Sequence, residues 1–170
     1  MKVEQSVEYE LFRGREPSAT DSEALLAQYR LLVETSEALV VRRQGVNAFF
    51  LSVNSLVLAA AGLLIRDGML EELGERFVLT CLSIGGCVFC FVWGRLIASF
   101  RQLSKGKFDV IHALEERLPA RVFAAEWAAL GRGENPKQYR PFTGTEANTP
   151  IVFAALHLLF AATVICLSVV

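Results

Sequence analysis

The chain has 170 residues, enough for one domain or one compact membrane bundle, and its 53% of apolar residues exceeds the average for a soluble domain. Its 17 lysines and arginines nearly cancel its 18 aspartates and glutamates, which excludes the strongly basic character of a protein that binds nucleic acid directly. The sequence also lacks the Walker loop, the GxSxG motif and the HExxH motif, so it carries no common nucleotide-binding, hydrolase or zinc peptidase signature.

The N-terminal part predicts a flexible segment followed by an amphipathic helix. Residues 1–20 have no apolar core of the signal-peptide kind, and we expect them to be flexible. The sequence Thr20-Asp21-Ser22-Glu23 fits a capping box, which indicates that a helix begins there. This cytoplasmic helix, residues 21–45, runs on into the first membrane span with a soft point at Gly45. Its heptad-like face consists of Leu25, Tyr29, Leu32, Ser36 and Leu39.

Three windows are apolar over the roughly 20 residues that a membrane-spanning helix needs. They are residues 46–65, 77–98 and 151–170. In a soluble alternative these helices form a buried core, but the chain then has too little amphipathic helix to surround them. The sequence therefore predicts an all-α integral membrane bundle with three transmembrane helices and a small helical part in the cytoplasm.

Lysine and arginine are distributed unevenly around these spans. Six precede the first span and nine lie between Arg95 and Arg140, whereas the short loop of residues 66–76 has two. The positive-inside rule then predicts a cytoplasmic N-terminus and an external C-terminus. The loop of residues 66–76 is external and residues 99–150 are cytoplasmic. In a bacterium this membrane is the plasma (inner) membrane.

The sequence of residues 99–150 predicts two short helices and a connector. After a break at Gly106, an apolar face predicts a helix that Pro119 ends or kinks. A second helix covers about residues 120–130, and glycines close it at its C-terminal end. The proline-rich connector contains a second capping box, Thr143-Gly144-Thr145-Glu146, which opens a helix toward the third span.

Titratable side chains in this region raise the question of catalysis. On a helix, Asp109, His112 and Glu116 share one face, which suits acid–base chemistry or a metal ligand pair. The region holds one histidine and no cysteine, so we interpret the cluster as a solvated charged face. We expect no enzyme activity, no metal site and no cofactor. The full set of candidates is Asp109, His112, Glu115, Glu116 and Glu126.

Polar and small residues inside the spans leave two interpretations open. Asn47 and Asn54 are seven residues apart and share a face with Ser55, and His157 lies two turns into the third span. These side chains either form hydrogen bonds between helices or line a pore. A pore requires a homo-oligomer, because three helices cannot enclose a channel. The second span adds a small-residue ridge for helix packing, which consists of Gly86, Cys90 and Gly94.

Four stretches carry a resemblance that extends over about Gln28 to Val170. They are RRQGVNAFFLSVNS, FRQLSKGKFDVIHALEERLPA, EWAALGRG and YRPFTGTE. In order and position they resemble a group of small multi-pass bacterial membrane proteins of unassigned function. The layout is also similar to that of the two-span SLATT proteins, proposed pore-forming effectors of bacterial defence, although the third span here is a departure. The resemblance implies pore formation.

The predicted architecture and the resemblance together suggest two possible functions. The first is an oligomeric pore-forming or membrane-perturbing effector, whose partners are the lipid bilayer and further copies of the chain. The alternative is a non-conducting membrane anchor or adaptor that docks a cytosolic protein through its cytoplasmic helices. The candidate docking surface consists of Leu25, Tyr29, Leu32, Leu39, Phe108, Ile111 and Trp127.

Overall fold

The protein is described here by a computed structural model, which covers residues 2–15, 21–66, 73–135, 137–139 and 143–167. Within these residues every regular element is helical, and the predicted all-α class is confirmed. A short 3-10 turn at Gly131–Gly133 follows the fourth helix. The α-helices are α1 (Lys2–Phe12), α2 (Ser22–Arg66), α3 (Leu73–Glu115), α4 (Val122–Ala129) and α5 (Thr143–Leu167).

The chain divides into two compact units, and each is described by itself. The polar unit comprises residues 1–42 and 100–142, and the apolar unit comprises residues 43–99 and 143–170. Three helices, α2, α3 and α5, are long and apolar enough to cross a membrane. The three predicted spans therefore coincide with helices, and the protein is a membrane protein.

The long helices pass without interruption through two glycines that the sequence suggested as weak points. Helix α2 continues through Gly45, and α3 continues through Gly106 to Glu115, so the predicted break and the separate short helix after it are wrong. A glycine inside a helix costs only about 1 kcal/mol relative to alanine. Good helix formers on both sides of Gly106, in the stretch RQLSKGKFDVIHALE, offset that cost.

The ends of the elements agree with part of the turn chemistry. Helix α2 begins at Ser22 inside the predicted capping box, although Thr20 lies outside the described residues. Helix α4 ends at Ala129, and the glycines after it adopt positive φ as predicted. Helix α5 begins at Thr143 in the second capping box and includes Pro150, which the sequence placed in the connector.

The N-terminal segment contains helix α1, which the sequence analysis did not predict, and the expected flexibility of residues 1–20 stays a prediction. Helix α1 is held in the polar unit by an ion pair of 2.6 Å between Glu8 Oε1 and Arg117 Nη2. The Arg117 guanidinium also lies 5.4 Å from the centre of the Phe12 ring, a cation–π distance. These contacts join residues more than a hundred positions apart, which sequence periodicity cannot reveal.

Two apolar clusters hold the three helices of the apolar unit together. In one, the rings of Phe50 and Trp93 stack with centroids 5.9 Å apart, and Ile97 completes the buried set. In the other, Ala61, Leu79 and Val164 bring together α2, α3 and α5. The outward-facing surface carries large exposed apolar side chains, which suits contact with lipid.

Candidate functional site

A buried polar cluster lies in the middle of the apolar unit and is centred on Asn54. The Asn54 side chain is 1% exposed, and its Nδ2 donates to the Phe50 carbonyl at 2.8 Å. Its Oδ1 accepts a bond from Cys90 Sγ at 3.2 Å and lies 3.1 Å from His157 Nε2. One amide therefore connects all three membrane-spanning helices.

The geometry assigns the proton on His157. Because Asn54 Nδ2 donates to a carbonyl, its Oδ1 is the acceptor, and His157 Nε2 must carry the hydrogen. The imidazole lies directly against Gly86, where an added Cβ would come within 2.2 Å of the ring. The His157 ring therefore fits between α3 and α5 because position 86 has no side chain.

A second polar network lies at the start of α5 within the apolar unit. Trp93 Nε1 donates to Asn47 Oδ1 at 2.9 Å, and Asn47 Nδ2 donates to Glu146 Oε1 at 3.2 Å. Arg43 Nε lies 3.5 Å from Glu146 Oε2, so a guanidinium faces this buried carboxylate. The network again joins three helices, and it places a charged pair where α5 begins.

The predicted residues of the spans thus separate into two groups. Asn47, Asn54 and His157 form hydrogen bonds between helices of one chain, whereas Ser55 is exposed on α2. The ridge also divides: Gly86 contacts His157 and Cys90 contacts Asn54. A Cβ at Gly94 would meet no atom within 4 Å.

The exposed face of α2 holds a feature that the sequence analysis missed. Small residues recur there at spacings of three and four, and each is exposed in the single chain. A Cβ placed on Gly45 or Gly62 would meet open space. The α2 stripe consists of Gly45, Ala48, Ser52, Ser55, Ala59 and Gly62. The spacing is visible in the sequence, but only the structure separates this face from the buried one that Asn54 occupies.

In the polar unit, Glu115 is fully buried and acts as a cap for α4. Its carboxylate accepts hydrogen bonds from the amides of Phe123 at 2.7 Å and Ala124 at 3.1 Å. The Tyr29 hydroxyl donates to the same carboxylate at 3.0 Å. The first turn of α4 has no side-chain cap of its own, so Glu115 supplies the acceptor from the end of α3.

This environment changes the acidity of both partners. Burial alone would raise the pKa of Glu115, but hydrogen bonds from the two amides and Tyr29, together with the nearby His112 imidazole, hold it below its ordinary value. Burial, the hydrogen bond to Glu115 and the negative charge raise the pKa of Tyr29 to about 12. Glu115, one of the catalytic candidates, therefore serves as an ionised structural anchor.

The other titratable candidates do not converge on one point. Glu116 is exposed and forms a 2.6 Å ion pair with Arg121. His112 Nδ1 instead lies 3.5 Å from Glu115. Within the described residues, no group of three or more histidine, cysteine, aspartate or glutamate side chains could hold a metal ion.

An open cleft of about 610 Å³ lies in the polar unit beside α4. Asp109, His112 and Glu126 lie along it together with four aromatic rings and a lysine. The lining residues are Lys105, Phe108, Asp109, His112, Phe123, Glu126, Trp127, Leu130 and Tyr139. The cleft has the size of a small-molecule site, and its lining combines apolar and aromatic side chains with several polar ones.

The predicted docking surface is divided between the interior and the exterior of the polar unit. Leu25 and Ile111 are buried in the chain, and Tyr29, Leu32 and Leu39 are half-buried. Phe108 and Trp127 remain exposed, and both border the cleft. The heptad-like face of α2 therefore packs inside the unit, and the accessible apolar surface is the cleft.

Comparison with known proteins gives one match. The sequence model of a family described as "Octameric membrane protein family (8xMP)" matches residues 26–166. This range takes in most of the chain, including the parts of α2, α3 and α5 that form the apolar unit. No curated protein and no solved structure matches the chain.

Proposed function

Since the chain belongs to the octameric membrane protein family, we propose that it assembles as an octamer in the plasma (inner) membrane of a bacterium and that the octamer encloses a pore. The match to this family and the three helices long and apolar enough to span a membrane indicate an oligomeric membrane protein. The number eight comes from the family's description. Pore formation and an effector role are our own extension, in line with the layout similar to the SLATT proteins.

An octamer can enclose water where a single chain cannot. Packed helices have axes about 8–10 Å apart, so eight copies of one helix in a ring lie roughly 10–13 Å from the central axis. After the helix radius of about 5 Å is subtracted, an opening with a radius of roughly 5–8 Å remains. Such an opening is wide enough to pass hydrated ions.

The observation that carries the proposal is the exposed α2 stripe. Large apolar side chains cover most of the outward surface of the apolar unit, and they suit lipid or neighbouring subunits. The α2 stripe is different, because it has only small side chains and exposes the hydroxyl residues Ser52 and Ser55. In a ring with α2 innermost, these serines form two hydroxyl rings and leave the lumen open.

The buried polar side chains have another role in this proposal. Asn54 and His157 are engaged between helices of one chain, so Ser55 and its neighbour Ser52 take the lining role suggested by the sequence. A lumen with hydroxyl groups and no charged ring discriminates weakly between cations and anions. We therefore propose a conductance of low ion selectivity.

The test compares two variants in which exposed hydroxyl residues are replaced. The double variant Ser52→Leu/Ser55→Leu fills the α2 stripe, and Thr163→Leu alters an exposed position on α5 as the control. Each purified octamer is reconstituted into liposomes loaded with a fluorescent dye and a potassium gradient. We expect ion flux from the native chain and the Thr163→Leu variant, and a loss of about tenfold or more from the double variant.

Native mass spectrometry of the same samples separates conduction from assembly. An octamer that forms but does not conduct in the double variant supports the lining. Equal flux from all three proteins would refute it. An assembly that is not octameric would refute the stoichiometry, and absence of flux from a native octamer would refute the pore.

Orientation and chemistry complete the proposal. We propose that the N-terminus and the polar unit are cytoplasmic and that the C-terminus is external, because lysine and arginine concentrate in the polar unit. We propose no catalytic step and no cofactor.

A reporter enzyme that is active only in the periplasm tests the proposed orientation. Fused after Val170 it should be active, and fused before Met1 it should be inactive. The reverse pattern would invert the topology.

A second candidate function is an adaptor that does not conduct. The exposure of Phe108, Val122 and Trp127 in the polar unit favours it, because these apolar side chains are available to a cytosolic protein. Crosslinking of the full chain in cells, with a photoreactive residue at position 122, should then capture one specific protein. Position 101, which is exposed on α3, provides the matched control.

A further inference from the structure

We propose that the cleft of the polar unit binds an organic cation with an apolar body. Nothing in the proposed pore requires this site, and the inference does not depend on conduction. The cleft of about 610 Å³ lies within the range of small-molecule sites. Its chemistry combines aromatic rings with carboxylates, and each of these attracts positive charge.

An unusual turn after α4 positions part of the aromatic lining of the cleft. Gly131, Arg132 and Gly133 all adopt positive φ, between 53° and 73°. The turn directs the following residues back toward α4, where Gln138 Nε2 donates to the Ala129 carbonyl at 2.7 Å. A non-glycine residue such as Arg132 at positive φ is strained, and such strain is concentrated at functional sites.

This turn brings Tyr139 to Trp127. Their rings meet edge to face with centroids 6.2 Å apart, and the Trp127 ring lies over Gly133, where a Cβ would be 3.0 Å away. The rings of Phe108 and Phe123, which also line the cleft, meet edge to face at 5.9 Å. Four rings thus border one cleft, and their fixed contacts prepare it before any ligand enters.

The charged side chains that line the cleft favour a ligand with positive charge. Asp109 and Glu126 border the cleft, and within the part of the chain that the structure describes neither forms an ion pair. Among the described residues that line the cleft, Lys105 is the single lysine or arginine. Aromatic faces carry partial negative charge and attract cations, with tryptophan the strongest. An anion would meet two carboxylates and aromatic rings in place of paired cations, so a cation is the better fit.

The apolar body of the ligand follows from the remaining lining. Phe108, Phe123 and Leu130 offer no hydrogen-bonding group, so they suit a hydrocarbon part. A quaternary or alkyl ammonium on a phenyl or branched alkyl group satisfies both requirements. Inorganic cations do not, because they leave the apolar lining uncovered.

The experiment uses the fluorescence of the full chain in nanodiscs. The protein has two tryptophans, Trp93 and Trp127, so a Trp93→Phe background leaves Trp127 as the reporter. The probe is phenyltrimethylammonium, the neutral comparator is 2-phenyl-2-propanol, and the anionic comparator is benzenesulfonate. Empty nanodiscs correct for partition into lipid. We expect a saturable change with the cation, and binding roughly tenfold weaker with either comparator.

Charge-removing variants test the same site without changing its shape. Asp109→Asn/Glu126→Gln should weaken binding of the cation about tenfold, and Glu116→Gln, outside the cleft, should leave it unchanged. Trp127→Leu, followed by calorimetry, should remove binding. The absence of saturable binding, equal binding of the neutral comparator, or an unchanged affinity in the Asp109→Asn/Glu126→Gln variant would each overturn the proposal.

Discussion

The middle of the apolar unit and the polar unit bury a polar side chain in different ways. In the middle of the first span the buried group is a neutral amide, Asn54, with partners on α3 and α5. In the polar unit it is a carboxylate, Glu115, with two backbone amides and a phenol as partners. The first connects three helices that also have apolar contacts, whereas the second begins a helix that has no cap of its own.

This difference shows what each environment tolerates. A charge without full compensation is costly in the bilayer, so an amide that both donates and accepts is the safer connector there. In the polar unit, the amide groups and dipole at the start of α4 compensate a full negative charge. The polar unit should therefore depend more on one residue than the apolar unit does, and five predictions examine that contrast.

The largest effect is expected at Glu115. Glu115→Leu leaves the amides of Phe123 and Ala124 without their acceptor and should cost about 3–5 kcal/mol in the polar unit. Hydrogen exchange at these two amides measures it and should accelerate by a factor of about a hundred or more. Glu116→Leu, which removes an exposed ion pair, serves as the control and should change exchange by less than about fivefold. Equal exchange in the two variants would contradict the capping role.

The next effect concerns Gly86 in the apolar unit. Gly86→Ala places a methyl group inside the His157 ring position and should destabilise the helix packing by about 1–3 kcal/mol. The neighbouring Gly85→Ala meets open space and should not destabilise. Thermal melting in one detergent compares them, and similar melting temperatures would show that His157 does not occupy the described position.

A smaller effect, which depends on pH, is expected at Tyr29. Its pKa is raised from 10.0 to about 12, so the contribution of the protonated phenol is present below pH 10 and is lost as pH rises through 12. Tyr29→Phe should cost about 1–2 kcal/mol near pH 8. Above pH 11 the difference from the native chain should narrow. Exchange at the Ala124 amide follows this, and a constant difference would contradict the assignment.

Glu115 sets the acidic limit of the same interaction. Its pKa in the folded protein lies below the ordinary 4.5, so its stabilisation is present above about pH 4.5 and is lost as pH falls through the lower value. Tyr29→Phe retains the two amide donors, so the polar unit of this variant should still lose stability as pH falls below about 4.5. Glu115→Leu has no carboxylate to protonate, so this loss of stability should be absent.

The smallest effect is expected at the exposed bond between Lys107 Nζ and Thr35 Oγ1, which is 2.7 Å long. Thr35→Val removes the acceptor at nearly constant volume and should cost less than about 0.5 kcal/mol. The same exchange measurement should register little change. A large effect here would erase the contrast between a single critical carboxylate and a set of minor surface contacts.

Sequence reasoning succeeded where one local pattern determined the outcome. The apolar windows predicted the three spans, and the capping boxes predicted where α2 and α5 begin. It failed at Gly106, because a single glycine does not stop a helix whose neighbours favour it. The fit of His157 against Gly86 joins positions 71 residues apart, and the capping of α4 by Glu115 also depends on tertiary geometry, so no periodicity contains either one.

The turn Gly131–Gly133 has a consequence for variation in the sequence. A Cβ at Gly131 would lie 2.7 Å from Gln138 Oε1, one at Gly133 would lie 3.0 Å from the Trp127 ring, and both positions need a left-handed backbone. Of the twenty amino acids, glycine alone meets both demands without strain. In a library of all single substitutions, these two accessible positions should reject replacements as strictly as the buried Leu114. Solvent exposure is therefore a poor guide to tolerance in this protein.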